Sequence, residues 1–121
     1  MTFAKWVFRI AGIYGFIVLT PLYFMESAVA AQQGPINQPE YFFGFTGCAL
    51  SFQLLFLLIS RDPARLRPAM LAAVAEKISF PIVVWPLYLQ GRTPVTVAAM
   101  STVDLMWCAL FLISWVRMRE A

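Results

Sequence analysis

Glu76, Lys77 and Asp104 stand inside otherwise apolar stretches of this chain. On insertion scales each costs on the order of 3 kcal/mol at the centre of a membrane helix, so none of the three should face lipid. Adjacent helical positions point about 100° apart, so Glu76 and Lys77 are not expected to share a direction. Lys77 can pair with Asp104 while Glu76 turns to Gln53, Tyr14 or Arg9, and the opposite assignment is equally allowed. Ser79, one turn beyond Glu76, and Ser101, one turn before Asp104, can extend such a network. Two chemistries fit it. Paired and dry, the charges fix helix order and register. Wet, one carboxylate titrates and couples protons to a small solute, with Lys77 as its switchable partner.

The elements that must carry these residues follow from hydropathy. The chain of 121 residues is 61% hydrophobic and 12% charged, against about 25% charge in soluble domains. A single domain of this size cannot bury that much apolar surface, so lipid must cover much of it. Crossing a hydrocarbon core of ~30 Å takes about 20 apolar residues in a helix. Four segments qualify, at about 6–25, 41–60, 69–90 and 95–116, and the third holds Glu76, Lys77, Pro81 and Pro86. A rise of about 1.5 Å per residue puts Asp104 near the midplane, with Glu76 and Lys77 within roughly 5 Å of it. Gln53 on the second segment and Tyr14 on the first fall in about the same layer, so every span supplies a polar group at one level. The expected fold is an all-α four-helix transmembrane bundle of two antiparallel helical hairpins.

The connections support this division. A polar stretch from Gln32 to Glu40 contains Pro35 and Pro39 and no basic residue. Arg61, Arg65 and Arg67 make the second loop basic, and Gly91-Arg92-Thr93-Pro94 forms a tight third turn. Lys5 and Arg9 near the start and Arg117 and Arg119 near the end place the basic residues on one side, with only Arg92 opposite. Short loops follow the positive-inside rule, so both termini are expected on the cytoplasmic side of an inner membrane. A rival reading takes Lys5, Arg9, the first apolar stretch and Ala28-Val29-Ala30 as a secretory signal with its cleavage site. That stretch is longer than most signal cores, and Glu26 lies close to the supposed site, so the four-span reading is preferred.

Composition narrows the function. The net charge of +3 comes from residues at the ends of apolar segments, which suits lipid headgroups rather than nucleic acid. Absence of His removes the commonest zinc ligand and the usual general base, and no metal or cofactor signature is present. Cys48 and Cys108 lie alone in apolar runs and read as small buried hydrophobes rather than a redox pair. Glu76 or Asp104 as the acid-base group of an intramembrane isomerase has no further support, and no catalytic residue is assigned.

Two patterns concern packing. Ile17-Val18-x-x-Pro21-Leu22-Tyr23 aligns with Ile82-Val83-x-x-Pro86-Leu87-Tyr88, which would fit a duplicated hairpin with parallel repeats. Pro21, Pro81 and Pro86 are each expected to free a carbonyl and bend their helices. Ala11-x-x-x-Gly15, Gly44-x-x-x-Cys48 and Gly47-x-x-x-Ser51 carry the spacing that lets backbones approach closely in lipid.

The run from Arg9 to Gly15, Pro21-Leu22-Tyr23-Phe24, Glu40 to Phe45, Gln53, Arg61-Asp62 and Glu76 to Phe80 resembles a group of small bacterial four-span membrane proteins. In size and layout the group is broadly similar to DoxX-like membrane proteins. The resemblance implies an inner-membrane four-helix bundle and nothing about substrate. Small multidrug transporters have similar length, but their central carboxylate lies in the first span, where this chain has none before Glu26. The reading reached from sequence is a structural or assembly module, packing with itself as a homo-oligomer or with a larger membrane partner. The alternative is a proton-coupled small-solute transporter using the Glu76, Lys77 and Asp104 layer, which four helices would best accommodate as a dimer. Reporter fusions check the topology: a fluorescent protein should mature at either end, and a phosphatase requiring the outer compartment should stay inactive. A mature N-terminus at Ala31 would sink the four-span reading.

Overall fold

Hydrocarbon offers no partners for backbone amides, so each crossing segment must satisfy its own as a helix. The computed structural model describes residues 2–33 and 37–119 and is helical, with no strand among them. The elements are α1 (Thr2–Leu19), a 3-10 turn (Thr20–Phe24), α2 (Glu26–Gln33), α3 (Pro39–Arg61), α4 (Ala69–Leu89) and α5 (Val95–Arg119). Four helices are long and apolar enough to cross a membrane: Thr2–Phe24, Pro39–Arg61, Ala69–Leu89 and Val95–Met118. α1 packs along α3 and α4 along α5, giving two antiparallel hairpins, joined more lightly through α1 with α5 and α3 with α4. The four-span bundle expected from hydropathy is the fold observed.

Local departures have physical causes. α1 ends as an α-helix at Leu19 and tightens into the 3-10 turn, where Pro21 has no amide to continue the ladder. Pro81 and Pro86 instead remain inside α4, the former buried. The two aligned Pro-Leu-Tyr segments therefore adopt different backbones. The short α2 was not foreseen from sequence. Of the polar connection that follows it, positions 34–36 lie outside the described residues. Pro39 opens α3 at its first turn, where a missing amide is harmless.

The turn between α4 and α5 is closed by Gly91, whose φ of 72° is in the left-handed region. The Arg92 amide donates to the Leu87 carbonyl and the Gly91 amide to that of Tyr88, both at 2.9 Å. This is the Schellman pattern that stops a helix cleanly. Arg65 donates its amide to Asp62 Oδ1 at 3.4 Å in the basic turn.

Apolar residues are distributed for lipid rather than water. Ile17, Phe24, Ile82 and Leu89 are all more than 60% exposed, as an unlined exterior in a bilayer requires. Cys48 corrects one expectation, since it lies on this exposed face, while Cys108 is buried. In a membrane bundle an apolar residue has two apolar destinations, and hydropathy does not choose between them. Buried hydroxyls are satisfied within their own helices, Thr46 by Phe42 O and Ser114 by Leu110 O, both at 2.9 Å.

The apolar core occupies the half of the bundle nearer the start of α1 and the end of α5. Ala4, Val7, Phe8 and Ala11 meet Phe56 and Ile59, Met70 and Ala73, and Trp107, Phe111 and Met118 there. Phe8 stacks on Phe111 with centroids 4.3 Å apart, and Phe56 meets Phe111 edge-on at 4.9 Å. All three rings are fully buried. Phe111→Ala should lower the stability of the detergent-solubilised protein by roughly 3 kcal/mol, read as an earlier midpoint in denaturant titration. An unchanged midpoint would mean the three rings do not hold the hairpins together.

Candidate functional site

The polar layer sits directly above this aromatic cluster. Lys77 projects from the middle of α4 into the bundle, and its Nζ lies 3.8 Å from Glu76 Oε2 and 3.6 Å from Asp104 Oδ1. Among the described residues these are the only salt bridges. Both separations exceed a hydrogen bond's usual length, so the ammonium is shared rather than clamped to one oxygen. Its third neighbour is the Phe56 ring, 5.3 Å away, a distance at which the ring face attracts a cation. The Lys77 side chain is 6% exposed, against 18% for Glu76 and 24% for Asp104. The cation is thus the floor of the layer, and the two carboxylates beside it are partly exposed.

The α1–α3 hairpin supplies an amide. Gln53 is fully buried and donates from Nε2 to the Ala49 carbonyl at 2.8 Å. Its Oε1 has no partner, and Glu76 Oε2 accepts no hydrogen bond, its neighbour being the Lys77 ammonium. A Cβ at Gly15 would collide with the Gln53 amide. Gly15 is therefore the place where α1 steps aside to admit a polar side chain from α3. Tyr14 lies beside Trp107, ring centroids 5.9 Å apart, and the Trp107 Nε1 is likewise buried without an acceptor.

Tyr14, Gly15, Gln53, Glu76, Lys77 and Asp104, together with apolar neighbours but without Trp107, line one cavity of about 130 Å³. At ~30 Å³ per liquid water it has room for several, and the polar groups around it could hold them. It extends away from the aromatic core towards the 3-10 turn, reaching Leu22, Phe45 and Met100. Phe45 of α3 and Phe80 of α4, 5.8 Å apart, flank it where the hairpins meet loosely.

All five residues expected to share a layer line this cavity, Tyr14, Gln53, Glu76, Lys77 and Asp104, as does Ser79, one of the two serines expected to extend it. Ser79 faces it while donating to its own helix at Glu76 O, 2.7 Å. Ser101 is buried and donates to Ala98 O at 2.8 Å, outside the lining. Arg9, weighed as a partner for Glu76, instead borders a groove with Arg61. Lys77 touching both carboxylates was not anticipated. Neighbouring Cβ atoms diverge, but a four-carbon stem brings the ammonium back towards Glu76. Trp107 was missed because an aromatic in an apolar span carries no signal of its own. No group of three or more His, Cys, Asp or Glu among the described residues could hold a metal.

No family model matches the chain, and neither a curated protein nor a solved structure matches it significantly. The geometry alone carries the functional argument. Its electrostatic core is checked by a mutant cycle. Lys77→Gln should destabilise the protein by about 3 kcal/mol, because two carboxylates lose their countercharge. Adding Asp104→Asn should restore much of that, and strict additivity in denaturant titration would refute the shared ion pair.

Proposed function

We propose that this chain is a small membrane carrier whose polar cavity takes up a small cation or amine, with protons competing for the same carboxylates. It would act in a bacterial inner membrane with both termini cytoplasmic, as the distribution of basic residues suggests. The observation that carries the reading is a cavity of about 130 Å³ at mid-bundle bordered by Gln53, whose buried Oε1 has no partner, and by Glu76, whose Oε2 meets only the Lys77 ammonium at 3.8 Å. Two carboxylates and one ammonium leave the site formally one charge negative. An unpartnered acceptor and a negative balance both favour an occupant that brings donors and positive charge.

The chemistry needed is exchange of countercharge. An arriving ammonium takes up carboxylate oxygens now turned on Lys77 Nζ. When it leaves, Lys77 or a proton takes its place, so cation and proton occupancy exclude one another. Below, Phe8, Phe56 and Phe111 close the other half of the bundle. An alternating cycle would require the two hairpins to rock at their lighter contacts, α1 with α5 and α3 with α4.

One observation favours the assembly-module reading, namely that Lys77 already lies between both acids. A dry network built for register would have every buried acceptor saturated, whereas Gln53 Oε1 has no partner.

Water access separates the two readings. With Cys48 and Cys108 replaced by Ser, Ser79→Cys should react with membrane-impermeant thiol reagents, whereas the buried Ser101→Cys should stay silent. In proteoliposomes loaded at acid pH, external methylammonium should drive proton release that Asp104→Asn abolishes. A silent Ser79→Cys beside a normally labelled surface cysteine, with no proton release, would return the chain to a structural role.

A further inference from the structure

A second site lies at the opposite depth and does not depend on the carrier reading. Between α1 and α3, on the core side of the bundle, an open groove of about 350 Å³ is lined by Arg9, Leu54, Leu57, Leu58, Ser60 and Arg61. Its shape follows from helical periodicity. Leu54, Leu58 and Arg61 are spaced four and then three residues apart, so they form one stripe down the outside of α3. Leu54 and Leu58 are 53% and 45% exposed. On the facing helix Gly12 leaves room for Leu57, whose Cδ2 lies 2.8 Å from where a Cβ would stand. The two helices thus approach at Gly12 and Leu57, and Arg9 lies one turn before Gly12 on α1.

The groove pairs two guanidinium groups with an apolar track leading into the hydrocarbon. Neither Arg9 nor Arg61 forms a salt bridge among the described residues, where Lys77 alone does so. Arg9 rests on the Trp6 ring at 5.4 Å, which fixes its stem and leaves its donors available. Asp62, the nearest acid in sequence, accepts the Arg65 amide instead. We propose that this groove binds one anionic phospholipid, its phosphate bridged by Arg9 and Arg61 and one acyl chain laid along Leu54 and Leu58. Guanidinium groups match phosphate oxygens in paired, charge-assisted hydrogen bonds. The exposed leucine stripe supplies what an ion alone would not need, a seat for a hydrocarbon chain. Both parts face the solvent for which they are suited, since lipid surrounds this surface in the membrane.

Native mass spectrometry of the full chain in mild detergent tests the assignment with phosphatidylglycerol and phosphatidylcholine offered together. The wild type should retain one phosphatidylglycerol in preference to phosphatidylcholine. Arg9→Gln with Arg61→Gln should weaken that retention roughly twenty-five-fold, about fivefold for each basic group near the headgroups. Lys5→Gln with Arg117→Gln removes equal charge from the same end of the bundle and should leave retention unchanged. An equal loss in this control would overturn the site in favour of a diffuse basic belt. A measurement needing no variant stands beside it: phosphatidylglycerol should raise the wild-type melting temperature above its value in phosphatidylcholine. Equal melting temperatures in the two lipids, or displacement of the lipid by millimolar inorganic phosphate, would also overturn it.

Discussion

A lysine ammonium is tolerated inside a membrane helix only where countercharge surrounds it, and Lys77 meets that condition with acids at 3.6 and 3.8 Å. The requirement propagates through the bundle. Asp104 must face α4, which sets the rotation of α5. Glu76 must stay on the inner side of its helix, which turns Ile78 and Ile82 outward to lipid. Once these charges occupy the interior, the α1–α3 hairpin cannot close over them with bulky apolar side chains. It offers Gly15 and the Gln53 amide at that level instead.

The same demand divides the bundle along its length. Where no charge has to be housed, Phe8, Phe56 and Phe111 interdigitate and the hairpins meet closely. From Lys77 onward the interior holds polar groups, the buried Pro81 of α4 and an open cavity. The Phe56 ring belongs to both halves, packed with the aromatics on one side and lying beneath the ammonium on the other.

Hydropathy made the four spans legible, because twenty consecutive apolar residues have few alternatives. Helical rise is nearly constant, so counting residues along each span grouped Asp104, Lys77, Gln53 and Tyr14, which line one cavity in the structure. Direction was harder. Whether Cys48 faced protein or lipid was invisible, because both surroundings accept a small apolar side chain. The reach of Lys77 to both acids depended on side-chain flexibility that helical wheels ignore. Ser101, expected to extend the network from Asp104, instead satisfies itself on Ala98, a local bond that always competes with a network. The 3-10 turn after Leu19 and the retained helix around Pro86 show the same Pro-Leu-Tyr pattern resolved by its surroundings.

The aromatic plug has a consequence for voltage. If the proposed carrier fills its cavity with water continuous with the bulk, the conducting phase would reach down to Lys77 and thin the insulating layer to the packed half of the bundle. A transmembrane potential would then fall mainly across Phe8, Phe56 and Phe111 rather than evenly over the whole bilayer. Each elementary charge carried across that step feels nearly the full drop, about 2.3 kcal/mol per 100 mV. A cation resting between Glu76 and Asp104 would therefore sit at the edge of a focused electric field.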